Sequence, residues 1–208
     1  MITHNTPGMN ENVALQRHTR EDLASRREAL LRNILAHAPR RDLAGGNDGL
    51  LAKMLASAAL GLGALPSDLG LGVEGLSRLL ERHYPGLRWS LENDARHAER
   101  FPEREELVAL LLEHVDTPCV ETVDMARIVA AACMGGNHLW EDLGLWKRAD
   151  LTELMARNFP VLAAKNDRDM KWKKFLYKQL CQREGIYICR APSCEVCADY
   201  AKCFGPEE

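Results

Sequence analysis

Four cysteines fall within the last twenty residues of this 208-residue chain: Cys189, Cys194, Cys197 and Cys203, spaced C-x4-C-x2-C-x5-C. Sulfurs this close in sequence can converge on one metal centre, and thiolates are preferred ligands of zinc and of iron–sulfur clusters. The remaining residues are then expected to form a body that holds and presents this loop. The chain has seven cysteines in all, an odd number that cannot pair completely. In a chain of this size they point to thiols or metal ligands rather than a disulfide framework.

The hydrophobic pattern says what that body is. Residues 1–18 are polar, contain Pro7 and Gly8, and read as a flexible tail. Thr19 and Asp22 make a T-x-x-D helix start, followed by Leu23, Leu30, Leu31, Ile34 and Leu35 at helical spacing. Further helices are marked by Leu50, Leu51, Met54, Leu55 and Ala58, then by Val73, Leu76, Leu79 and Leu80. Pro102 opens another with Leu107, Leu110, Leu111 and Val115 inward. Pro118 opens the next, through Val120, Val123, Ile128 and Val129, with Cys119 and Cys133 read as core. Asp150 and Glu153 form a second N-terminal box before Leu151, Leu154 and Met155. The last helix covers 169–184, with Trp172, Phe175, Leu176 and Leu180 as its buried face and Gly185 as its stop. No alternating strand pattern and no internal repeat emerges. The expected fold is all-α, a helical bundle with an irregular cysteine-rich metal-binding loop at the C-terminus. Residues 1–18 form the tail, 19–168 the helical body, and 169–208 a basic helix plus the cysteine loop.

A net charge of −3 does not favour a globally basic nucleic-acid binder, and no apolar run approaches the ~20 residues of a membrane span. No apolar secretory signal opens the chain, so a cytoplasmic location is expected. Neither a G-x4-G-K-[ST] phosphate loop nor a G-x-S-x-G elbow occurs.

Within the cysteine loop, the C-x2-C pair lets both sulfurs face one centre, Cys189 and Cys203 can close the coordination sphere, and Pro192 discourages helix before Cys194. A structural zinc site would be filled by four cysteines, but its usual grammar is two short pairs with a longer spacer. The x2 and x5 spacings resemble the C-terminal cluster loop of endonuclease III DNA glycosylases. Both metals stay open on spacing alone. The preceding segment adds charge: Lys165, Arg168, Lys171, Lys173, Lys174, Lys178, Arg183 and Arg190 against Asp167, Asp169 and Glu184, a local net of +5. Such cations would stabilise an anionic thiolate cluster, or attract an oxyanion such as molybdate or an acidic partner. The plain alternative is a solvated helix face.

Two further residues are candidate ligands. His138, in the stretch GGNHLWEDLG, follows two glycines that permit close backbone approach. It reads either as an imidazole ligand or as a capping or packing histidine. Glu141 and Asp142 behind it read as a solvated helix start, or else as acceptors for His138. Cys181, in the last helix, is either a spare ligand or a small buried hydrophobe.

These residues resemble a family. The stretch from Met170 to Gly205, MKWKKFLYKQLCQREGIYICRAPSCEVCADYAKCFG, is similar to the C-terminal signature of NifQ, a nitrogen-fixation accessory family; MGGNHLWEDLGL and FPVLAAKN upstream are similar too. The resemblance implies a molybdenum donor for the iron–molybdenum cofactor of nitrogenase, a metallochaperone rather than an enzyme. It implies a molybdenum–iron–sulfur cluster of the Mo–3Fe–4S type, formed from an iron–sulfur precursor cluster, with Cys189, Cys194, Cys197 and Cys203 as ligands. It also implies transfer to the cofactor scaffold complex with involvement of the nitrogenase iron protein, with molybdate as the metal source and no part for nucleic acid or membrane. Two other classes compete: an iron–sulfur DNA-repair glycosylase, for which no helix-hairpin-helix element precedes the loop, and a zinc-stapled interaction module.

Overall fold

The computed structural model describes residues 8–39, 46–90, 102–115, 119–183, 185 and 203, and for residues 8–20 and 102 only the backbone. Every regular element among them is helical: α1 (Gly8–Leu35), α2 (Asp48–Ala58), α3 (Gly72–His83), α4 (Pro102–Glu113), α5 (Val120–Cys133), α6 (Leu139–Asp142), α7 (Arg148–Asn158), α8 (Pro160–Lys165) and α9 (Trp172–Arg183). The all-α expectation therefore holds for the described residues. Cys189, Cys194 and Cys197, and with them the expected metal-binding loop, lie outside those residues. No described helix is long and apolar enough to cross a membrane.

α5 is the centre of the body. Its C-terminal half, Ile128–Cys133, is apolar all round, as a helix in a core is, and Met125, Ala126, Ile128, Val129, Ala130, Ala132 and Cys133 are all buried. Its alanines keep that surface thin, so α3, α4 and α6 all pack against it. α4 also contacts α9, α1 lies on α2, and α6 links α5 to α7. α3 has the opposite character: Leu76, Leu79, Leu80 and His83 face inward while Val73 is 63% exposed, outside the expected apolar stripe.

Polar side chains join the elements inside this core. Asn47, just before α2, and Asn158, at the end of α7, exchange two side-chain hydrogen bonds of 2.8 and 3.0 Å. Asn47 also donates to Glu121 of α5 at 2.6 Å. Beside them, Asp48 accepts from His83 Nδ1 at 2.6 Å, and the Tyr84 hydroxyl donates to the Asp48 carbonyl. Arg27 of α1 reaches Ser57 Oγ of α2 at 2.7 Å and the Gly144 carbonyl at 2.7 Å, with its guanidinium 4.7 Å from the centre of the Trp146 ring.

Several boundaries differ from the sequence reading. α1 starts at Gly8, so the Thr19 box lies inside the helix. α7 starts at Arg148, so Asp150 is not its cap; it is buried and accepts from Lys53 Nζ at 2.8 Å and from the Trp146 N–H at 3.1 Å. Cys133 is core, but Cys119 is exposed, because α5 begins one residue later and leaves it at the N-cap. Asn158→Ala leaves the buried Asn47 amide half-satisfied, which costs about 1–3 kcal/mol. Urea denaturation should show that loss as a lower midpoint with an unchanged slope.

Candidate functional site

The site is built where α9 begins. Immediately after α8 the chain must turn, and Asn166 closes that turn: its Oδ1 accepts from Met170 N and its Nδ2 donates to Met170 O, both at 2.9 Å. Asp169 within the turn has φ of +53°, a left-handed conformation that aspartate tolerates better than most residues, and it accepts from Arg148 at 2.6 Å. The clamp fixes where Lys171, Lys173 and Lys174 emerge. Cys203 returns to the same place: Lys171 N donates to the Cys203 carbonyl at 2.9 Å, and Lys174 Nζ lies 3.6 Å from its Sγ.

The opposite wall is the GGNH turn leading into α6. His138 is the N-cap of α6, in extended conformation, and its N–H donates to Glu141 Oε2 at 3.1 Å. Between this turn and α9 is a pocket of about 520 Å³, lined among the described residues by Gly136, Asn137, His138, Leu139, Glu141, Lys171, Lys173 and Lys174.

Asp142 joins the two walls, and here the expectation of a solvated carboxylate fails. Asp142 is fully buried. It accepts from Lys173 Nζ, from Asn137 N at 2.9 Å and from Asn137 Nδ2 at 3.3 Å. Lys173 gives a further bond to the Gly135 carbonyl at 2.8 Å. The packing is close enough that a Cβ on Gly135 would lie 2.4 Å from the Asp142 carboxyl group.

Of the sequence-predicted ligands, the structure brings Cys203 and His138 to this face. Cys181 is half-buried, seven residues after Lys174 and so about 10 Å further along the helix axis. Among the described residues no three His, Cys, Asp or Glu side chains form a metal-holding group. The basic stretch divides. Lys165 pairs with His114 Nε2 at 2.6 Å and Arg183 lies 3.7 Å from Glu113, away from the pocket. Sequence reasoning missed Asn137, Asn166 and the buried role of Asp142. The one local signal was the Gly135-Gly136 pair.

The two core-reading cysteines differ chemically. Burial pushes the Cys133 thiol up to about 12. At Cys119 the Thr122 hydroxyl, 3.1 Å away, holds the thiol below its ordinary value.

A family model described as NifQ matches residues 50–205. The chain is 43% identical to Protein NifQ of Azotobacter vinelandii, covering 76% of this chain and 87% of the relative. It is 39% identical to Protein NifQ of Rhodobacter capsulatus, again over 76% and 87%. With the NifQ homolog of Sinorhizobium fredii it shares 39% identity over 67% of this chain and 61% of that protein. No solved structure matches.

Two outcomes test this geometry. Lys173→Met strands a buried carboxylate and costs roughly 3–5 kcal/mol, while pairing it with Asp142→Leu restores part of the loss, both read from urea denaturation. Native-state alkylation mapped by mass spectrometry should modify Cys119 at neutral pH and leave Cys133 untouched until the fold opens. The Cys119 rate should titrate below the range of an ordinary thiol, and Thr122→Val should move that titration upward, slowing the reaction at neutral pH.

The match over most of the chain and the identity to several relatives agree with the residues that first suggested it: the chain belongs to the NifQ family.

Proposed function

We propose that this protein is a nitrogen-fixation accessory factor that carries molybdenum in a molybdenum–iron–sulfur cluster and donates it for assembly of the nitrogenase iron–molybdenum cofactor. Cys189, Cys194, Cys197 and Cys203 hold the cluster as cargo, starting from an iron–sulfur precursor. The protein acts as a metallochaperone in the cytoplasm, delivering to the scaffold complex with the nitrogenase iron protein, and does not turn over a substrate.

The observation that carries this reading is the place to which Cys203 returns. A thiol that ends a four-cysteine motif sits against Lys174, beside a pocket that also contains Lys171, Lys173 and His138. The donor chemistry fits such a cargo. Thiolates supply the soft ligand set in which reduced molybdenum is stable among sulfides. A cluster held by four thiolates is anionic, and ammonium groups at its edge offset that charge. A structural zinc staple would be satisfied by the cysteines alone and would need neither the pocket nor the lysines.

Metal analysis separates these readings. Protein purified without oxygen from molybdate-fed cells should contain iron, acid-labile sulfide and molybdenum together, and Cys194→Ser/Cys197→Ser should lose all three. One zinc per chain without sulfide would remove the carrier reading and leave a zinc-stapled module.

A further inference from the structure

We infer that the pocket between the GGNH turn and the start of α9 is a capture site for a tetrahedral oxyanion of the molybdate class, separate from the cysteine ligands. The inference deepens the carrier reading and rests on it for its biological meaning, since a molybdenum donor must first acquire the metal in its oxyanion form.

Basic residues are favoured at the C-terminal end of a helix and disfavoured at the N-terminal end, where the backbone dipole is already positive. α9 has no acidic residue in its first turn. It has instead Lys173 and Lys174 there, with Lys171 immediately before, and all three line one pocket. Lys173 is neutralised from behind by Asp142. Glu141 is the one carboxylate among the described lining residues, and its Oε2 is engaged by the His138 N–H. Three lysines against Asp142 and Glu141 still leave the opening with one net positive charge, at a helix end that opposes such an arrangement. An anion in the pocket removes the conflict.

The remaining lining supplies room, and the lysines supply the donors. Asn137 is held in the wall by its two bonds to Asp142, and His138 lines the pocket beside it in sequence. At about 30 Å³ per water, 520 Å³ admits an oxyanion with part of its hydration shell. Lys174 belongs to the pocket and also lies 3.6 Å from Cys203 Sγ, so a captured oxyanion would sit next to the thiol that ends the cysteine motif. The proposal is capture alone and includes no change of oxidation state. Charge and shape select a tetrahedral dianion, so sulfate shares the chemistry.

The experiment is titration calorimetry of molybdate into the full chain stripped of metal. Three proteins are compared: the unsubstituted chain, Cys189→Ser/Cys194→Ser/Cys197→Ser, and Lys171→Gln/Lys174→Gln, each first shown to be folded by its thermal transition. The unsubstituted chain and the cysteine variant should bind one molybdate with similar affinity, weakened by salt and displaced by excess sulfate. The lysine variant should bind at least about tenfold more weakly. Absence of saturable binding to the stripped chain, loss of binding in the cysteine variant, binding indifferent to sulfate, or unchanged binding in the lysine variant would each overturn the proposal. Iron and sulfide measured on anaerobically purified protein report the carrier reading independently, so either idea can fail while the other stands.

Discussion

A carboxylate with no access to water holds two parts of this protein together. Removing an ionised group from solvent costs several kcal/mol, and the structure recovers that only if partners surround the group with good geometry. Asp142 has Lys173 on one side and the backbone and side chain of Asn137 on the other. Those partners come from the two walls of the pocket. The condition for burying Asp142 is thus the same as the condition for placing the GGNH turn against α9. Gly135 belongs to this arrangement for a steric reason, since no side chain fits between its backbone and the carboxyl group.

The body beneath is built so that this contact has a fixed platform. α5 presents a thin, alanine-rich surface to its neighbours, and its C-terminal end leads directly into the glycine pair. α4 packs on both α5 and α9, which sets the spacing between the two walls. At the far side the Asn47–Asn158 exchange and the Arg27 bonds secure α2, α7 and α1 to the same unit. The helices supply rigidity, and the pocket lies at the N-terminal end of α9.

The helical body was legible in the sequence where punctuation and periodicity coincide. Pro102 opens α4 and Gly185, at φ +70°, stops the segment of α9, as their positions imply. Trp172, Phe175, Leu176 and Leu180 are buried as their spacing requires. What failed had no local signal. The beginning of α1 is polar and has no stripe to announce a helix. α6 is four residues long, too short to leave a period. Asp142 beside Glu141 reads as a wet pair, because the ammonium that allows its burial is thirty-one residues further on. The +5 stretch was visible as a sum, but only the fold separates Lys171, Lys173 and Lys174 from cations engaged elsewhere. Cys203 and His138, singled out by residue type and spacing, lie at or beside the pocket, while Asn137 and Asn166 act through hydrogen bonds that composition does not encode.

Lys173 belongs to the pocket and to the buried pair at once. By mass action, whatever occupies the pocket stabilises the folded chain, by RT ln(1 + [L]/Kd) for a single site. At one hundred times the dissociation constant this is about 2.7 kcal/mol, a factor of roughly one hundred in the unfolded population. The chain with an empty pocket would then be opened by proteases far more often than the chain with the pocket filled. Such a protein would have its lifetime in the cell set by what fills the pocket, and a shortage of that ligand would thin its own pool without any dedicated signal.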